Sequence, residues 1–152
     1  MLKSGTAAPK FSLPDQDGNI VSSDVLKGKR YILYFYPKDN TSGCTKQAIA
    51  FRDAKEELDK ANIEVYGVSR DKAASHTRFI EKQSLNFTLL SDPDMTVSKA
   101  YDVCLEKKTQ DKITVKIVRT AYLINENGII EKDWPKINAA ESAAIILEYL
   151  KA

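Results

Sequence analysis

Apolar and polar positions follow two rhythms along this chain, and together they lay out its elements. "FSLPDQDGNIVSS", residues 11–23, reads as two short strands around Asp17-Gly18, a hairpin signal. "KRYILYFYP" is a continuous apolar run closed by Pro37, which suits a strand buried on both faces. From Thr45 to Ala61 good helix formers dominate, and Ala48, Phe51, Ala54 and Leu58 recur every three or four residues, with Lys55 on the same spacing. "NIEVYGVS" is a second buried strand, and "DKAASHTRFIEKQS" a second helix with Asp71 as its N-cap. "FTLLSDP" is a short third strand, after which Asp92 or Asp94 caps a short helix reaching Ala100 and Tyr101. "TVKIVRTAYLINENGIIEKDW" gives two strands joined by Asn127-Gly128, a type I′ signal, and "NAAESAAIILEYLKA" a closing amphipathic helix.

After the opening hairpin the order is βαβαβαββα. Parallel crossovers followed by an antiparallel pair predict an α/β fold with a mixed central sheet flanked by helices. The length of 152 residues fits one domain, residues 1–152. With 43% hydrophobic and 29% charged residues the composition is that of a globular chain. A net charge of +2 with no basic run gives no sign of nucleic-acid binding. Apolar runs stop at about six residues, far short of the roughly 20 a bilayer requires. "MLKSGTAAPKF" lacks an apolar signal core, so the expected location is the cytoplasm.

The chemistry concentrates in "YPKDNTSGCT", where a proline, a threonine, a glycine and a cysteine stand at the seam between strand and helix. Two cysteines, Cys44 and Cys104, are too few for a disulfide framework, and with the single His76 they make no structural zinc site. No metal or cofactor is expected. Cys44 sits at the carboxyl end of a central strand, where open α/β sheets place their sites. It also opens a helix, whose free N–H groups and macrodipole favour a thiolate. An ordinary thiol is only about 3% ionised at pH 7. Full ionisation therefore gains about 30-fold, or about 2 kcal/mol. Larger gains need donors aimed at charge that develops during reaction. Thr41 offers a hydroxyl, Gly43 and Cys44 offer N–H groups, and Pro37, which has none, shapes and shields the pocket. Donors around a thiolate without a base suit attack on an O–O bond. A cysteine protease would want a histidine against the sulfur, and His76 falls in the second helix's pattern as a structural or surface residue.

"PKDNTSGCT" resembles the P-x-x-x-[TS]-x-x-C loop of peroxiredoxins. The longer "FYPKDNTSGCTKQAIAFRD" resembles the bacterioferritin comigratory protein, or peroxiredoxin Q, subgroup. "GTAAPKFSLPDQDG", "VYGVSRDKAASHTRFIEKQSLNFTLLSDPD" and "VRTAYLINENGII" are similar to that group in the same order. The resemblance implies a thioredoxin-like fold and a thiol peroxidase acting on hydrogen peroxide and organic hydroperoxides. It implies Cys44 as the peroxidatic cysteine, with Pro37, Thr41 and Arg119 completing the peroxide pocket. Arg119 also makes physical sense, since a fixed cation beside the sulfur favours the thiolate and steadies the departing oxygen.

The chain departs from that pattern at the resolving cysteine. Many members carry it five residues after the peroxidatic one, where this chain has Ile49, and others on the following helix, where it has Ile80. Ser42 stands where proline is common and softens the turn. Two accounts stay open. Either an external thiol (thioredoxin, glutaredoxin or a small molecule) resolves the sulfenic acid, or Cys104 in "AYDVCLEKK" does so within the chain or across a dimer. Cys104 is otherwise an inert thiol near the end of a short helix, beside a mobile loop. A monomer or weak dimer is expected. The rival classes are a general thiol–disulfide oxidoreductase, disfavoured because Thr-Lys-Gln follows Cys44 and leaves no C-x-x-C pair, and a redox-sensing or holdase module.

Overall fold

A run of buried strand residues anchors the structure. The computed structural model describes residues 1–151. β1 (Ser12–Pro14) and β2 (Ile20–Ser22) form the opening antiparallel hairpin. β3 (Arg30–Phe35) leads into α1 (Ser42–Lys60), then β4 (Ile63–Ser69), α2 (Ala73–Gln83), β5 (Thr88–Ser91) and α3 (Thr96–Ala100). β6 (Cys104–Thr109) and β7 (Lys112–Ile117) make a separate antiparallel pair. β8 (Thr120–Ile124), β9 (Ile130–Trp134) and α4 (Ser142–Lys151) complete the chain. The central sheet has the order β5-β4-β3-β8-β9; β3, β4 and β5 are parallel, β8 is antiparallel to β3, and β9 is antiparallel to β8. No helix among the described residues is long and apolar enough to cross a membrane.

Because β3 is central, both of its faces are covered, and its alternation sorts the core into two clusters. Ile32 and Tyr34 pack with Ala48, Phe51 and Leu58 of α1, Phe79 of α2 and Ile146 of α4. Tyr31, Leu33 and Phe35 point the other way, to Phe11, Tyr66, Tyr101 and Tyr122. The crossovers through α1 and α2 run the same way along the sheet, so both helices share a face. α4 joins them there, while α3 and the opening hairpin cover the opposite face.

Local readings differ from the structure in several places. α1 begins at Ser42, three residues earlier than its apolar spacing shows, which puts Cys44 inside the first turn. Asp71 does not cap α2. It accepts the Ser69 hydroxyl at 2.7 Å and the Asp39 N–H at 2.8 Å, and Lys72 takes the cap position. Asp92 does serve the start of α3, taking the Val97 N–H at 3.2 Å and the Ser98 N–H at 2.7 Å. The Asn127-Gly128 turn is a three-residue loop rather than type I′. Gly128 has φ +76° while Asn127 keeps a negative φ, and the Gly128 N–H bonds the Asn125 carbonyl at 3.0 Å. A type I turn followed by one left-handed glycine gives that pattern, whereas type I′ needs two positive φ values. Cys104 opens a strand instead of ending a helix, and the stretch read as a mobile loop is the β6–β7 hairpin.

One ion pair ties the sheet edge to the last helix. Arg30 Nε donates to Glu131 Oε1 at 2.9 Å, and the Tyr149 hydroxyl of α4 donates to Glu131 Oε2 at 3.0 Å. The hydrogen bond from Arg30 is the main cause holding the Glu131 carboxyl below its ordinary value. A depressed carboxyl stabilises the fold above its unfolded value of about 4.5 and loses that contribution as pH falls through the folded value. Both side chains are about a quarter exposed, so the expected effect stays near the surface range. Glu131→Gln should cost about 1 kcal/mol at pH 7. Thermal unfolding should fall by about 2–4 °C, and the difference should shrink as pH falls below about 4.5.

Candidate active site

The end of β3 delivers the chain to one end of the sheet, and its antiparallel neighbour starts there. Phe35 pairs with Thr120, so Arg119, one residue before β8, lies beside the loop that joins β3 to α1. That register brings a cation from late in the chain to a thiol 75 residues earlier. Arg119 Nη2 donates to Cys44 Sγ at 3.4 Å. Cys44 is 2% exposed and packs with the α1 cluster.

The first turn of α1 is left open toward this sulfur. Thr41 holds the N-cap position with extended backbone, but its side chain makes no cap bond, and the first turn carries no acidic residue. The Thr41 hydroxyl donates instead to the Lys38 carbonyl at 2.9 Å, which leaves its oxygen lone pairs free to accept. The first helical bond runs from the Thr45 N–H to the Thr41 carbonyl at 2.8 Å. The N–H groups ahead of it, on Gly43 and Cys44, have no place in the helix ladder. A guanidinium, an uncapped helix start and a buried sulfur thus converge on one point, where negative charge is stabilised.

Gly43 makes the approach of Arg119 possible. A Cβ at that position would lie 3.1 Å from Arg119 Nη2. The guanidinium is held from its other side by Gln47, whose Oε1 accepts from Nη1 at 2.6 Å. Gln47 Nε2 in turn donates to Ser142 Oγ at 3.0 Å, and the Ser142 hydroxyl donates to the Asn138 carbonyl at 2.6 Å. Gln47 is wholly buried on the same helix face as Cys44, Ala48 and Phe51. The sequence reading passed over it. The signal was a polar amide on an apolar stripe, one turn after the cysteine, where burial demands a hydrogen-bond partner.

Pro37 and Arg119 form one end of an open groove of about 390 Å³, continued by Leu105, Ile117, Val118 and Ile137 and edged by Lys116 and Lys136. Of the residues singled out from the sequence, Pro37 and Arg119 line this groove, Cys44 meets Arg119, and Thr41 stands at the start of the Cys44 helix. Cys104 does not join them. It packs against the cluster on the other face of the sheet, and burial pushes its thiol above the ordinary value. His76 is not a surface residue: it is fully buried, with Nδ1 2.7 Å from Asp39 Oδ2.

A buried thiol at a helix start, met by a guanidinium and by no general base among the described residues, on a sheet of this order, has the form of a cysteine redox site on a thioredoxin-like fold. The chain belongs to the AhpC/TSA family, whose model matches residues 4–133. Within it the relatives are peroxiredoxins, which are thiol-dependent peroxidases. The chain is similar to a bcp-type peroxiredoxin of Coxiella burnetii, 48% identical over 136 residues that cover 90% of each chain. It is 45% identical to peroxiredoxin Bcp of Escherichia coli over 150 residues, 99% of this chain and 96% of that one. A solved structure of the Xanthomonas campestris bacterioferritin comigratory protein, described for its alkyl peroxide reduction activity, superposes with a TM-score of 0.87. It is 35% identical, over 93% of this chain and 90% of the other.

Gly43→Ala should separate positioning from stability. Alanine is the better helix former by roughly 1 kcal/mol, so thermal stability should hold or rise. The added methyl should displace the guanidinium and slow the reaction with hydrogen peroxide roughly 5- to 20-fold, as small misplacements do. Stopped-flow peroxide consumption beside a melting curve reads both.

Proposed function

We propose that the protein reduces hydrogen peroxide and organic hydroperoxides at Cys44 and is returned to its thiol by an external reductant. The observation that carries this reading is the 3.4 Å contact from Arg119 Nη2 to Cys44 Sγ at a helix start with free N–H groups and no base. The Cys44 thiolate attacks the OH-bearing oxygen of the peroxide. The S–O bond forms as the O–O bond breaks, the electron pair leaves on the second oxygen, and that oxygen takes a proton from solvent. Arg119 and the N–H groups of Gly43 and Cys44 stabilise the charge as it develops. Thr41, its hydrogen committed to Lys38, accepts the O–H of the peroxide and aims it. Pro37 walls the pocket without adding an N–H that would compete. The apolar groove beyond it suits the organic part of an alkyl hydroperoxide, in keeping with the alkyl peroxide activity of the X. campestris protein.

An external thiol then attacks the sulfenic sulfur and expels water, and a second thiol splits the mixed disulfide. One peroxide and two thiols give an alcohol or water, a second water and a disulfide. Thioredoxin, glutaredoxin and small-molecule thiols fit this role. Ile49 and Ile80 fill the two positions where relatives keep a resolving cysteine. Cys44 and Cys104 belong to core clusters on opposite faces of the sheet, and a disulfide needs their Cα atoms within about 7 Å. Both observations support resolution from outside the chain.

Cys44→Ser should abolish peroxide turnover with the fold intact, while Cys104→Ser keeps most of the thiol-driven rate and is overoxidised by excess peroxide as readily as the parent. Intact mass after one equivalent of peroxide checks the intermediate. A Cys44–Cys104 disulfide, together with lost turnover in Cys104→Ser, would reverse the reading. Arg119→Met should slow the peroxide step by roughly 10²- to 10³-fold, as loss of one transition-state donor does. The defect should persist at pH about 9.5, above the ordinary thiol value of about 8.5. Full recovery there would reduce Arg119 to a residue that only favours ionisation.

A further inference from the structure

The loop between β3 and α1 contains a buried carboxylate that the peroxide chemistry leaves unused. Asp39 is 4% exposed. Its Oδ1 accepts the Tyr36 hydroxyl at 2.6 Å, and its Oδ2 accepts the Ser75 hydroxyl at 2.9 Å and faces His76 Nδ1 at 2.7 Å. The Asp39 N–H donates to Asp71 Oδ2 at 2.8 Å. Burial pushes the Tyr36 phenol well above its ordinary value, so its hydroxyl remains a donor. The other ring nitrogen of His76, Nε2, faces the Leu90 carbonyl oxygen at 3.0 Å. A carbonyl only accepts, so Nε2 carries a hydrogen. Nδ1 meets Asp39 Oδ2, so the His76 ring has two arms, one to the loop and one to β5.

Besides the Asp39 bonds to Tyr36, Ser75 and Asp71 and the Thr41 bond to Lys38, two features leave the segment dependent on side-chain contacts. Asn40 stands at φ +62°, a left-handed conformation uncommon outside glycine. Thr41 gives α1 no side-chain cap. Yet this turn has two opposed duties. It must be rigid to aim its donors at a peroxide, and it must open to let a thiol reach the sulfur of a residue that is 2% exposed.

We propose that His76, acting through Asp39, is a positioning residue: it latches the Pro37–Thr41 loop and the first turn of α1 in the peroxide-reactive arrangement, and release of the latch exposes Cys44 to the reductant. The inference rests on Cys44 as the reacting sulfur, which the Cys44→Ser control tests by itself.

The two arms of the ring can be separated. His76→Asn keeps an N–H close to Nδ1 and so keeps the loop, while His76→Gln keeps one close to Nε2 and so keeps only β5. Two single-turnover rates are measured by stopped flow: reduced enzyme with hydrogen peroxide, and freshly formed sulfenic acid with dithiothreitol. His76→Gln should slow the first roughly 10- to 100-fold by misplacing the donors. It should speed the second about threefold or more by raising the open population. His76→Asn should stay within about threefold of the parent in both. The latch is overturned if His76→Gln matches the parent, if both rates fall together, or if His76→Asn shows the split and His76→Gln does not. Should His76→Gln fail to fold, Tyr36→Phe removes one hydroxyl from Asp39 without opening a cavity. It should show the same opposed changes at roughly three- to tenfold in the peroxide step, and parental rates in that variant would overturn the latch equally.

Discussion

A guanidinium held against a sulfur at the start of a helix is the constraint around which this molecule is arranged. Arg119 reaches Cys44 because β8 is antiparallel to β3 and starts where β3 ends. It stays there because Gln47 takes its second nitrogen, and Gln47 is held by Ser142 at the start of α4. Sheet register, the face of α1 and the docking of α4 therefore meet in one hydrogen-bonded chain. Gln47 and Ser142 are wholly buried, so a break at either leaves its neighbour unsatisfied. The chemistry is as precise as the packing of the helix face that carries it.

The same economy appears in the division of the core. β3 sends alternate side chains to opposite faces, and Cys44 lies in the cluster on the face with three long helices. The thin face, covered by α3 and the β1–β2 hairpin, keeps a cysteine whose thiol is pushed toward its neutral form. Two chemically identical side chains thereby acquire different characters from their surroundings alone.

Much of this was legible in the sequence where burial imposes a period. The β3 run and the α1 stripe were readable because a central strand and a docked helix cannot hide their apolar positions. The loop carrying Cys44 was readable because its proline, glycine and cysteine sit between those two signals. The β6–β7 hairpin was not. Residues 105–114 are exposed almost throughout, so no alternation marks a buried face, and "LEKKTQDKIT" reads as a polar loop. Gln47 was missed, and His76 was read as structural or surface without its partners, for a related reason. Each is a polar residue on an apolar face, and its partners, Ser142 and Arg119 for one and Asp39 and Leu90 for the other, lie far away along the chain. Helix starts misled through residue type. Asp71 has the composition of a cap, but its carboxylate is occupied by the loop ahead of it.

The separation of 75 residues between Cys44 and Arg119 also orders events in time. On a ribosome adding about 5–20 residues each second, the cysteine emerges several seconds before its arginine. Gln47 waits longer still for Ser142, 95 residues behind it. During that interval the nascent chain carries a thiol without Arg119 beside it. The hydrogen-bonded chain from Cys44 through Arg119 and Gln47 to Ser142 is therefore complete only when the last helix has been made.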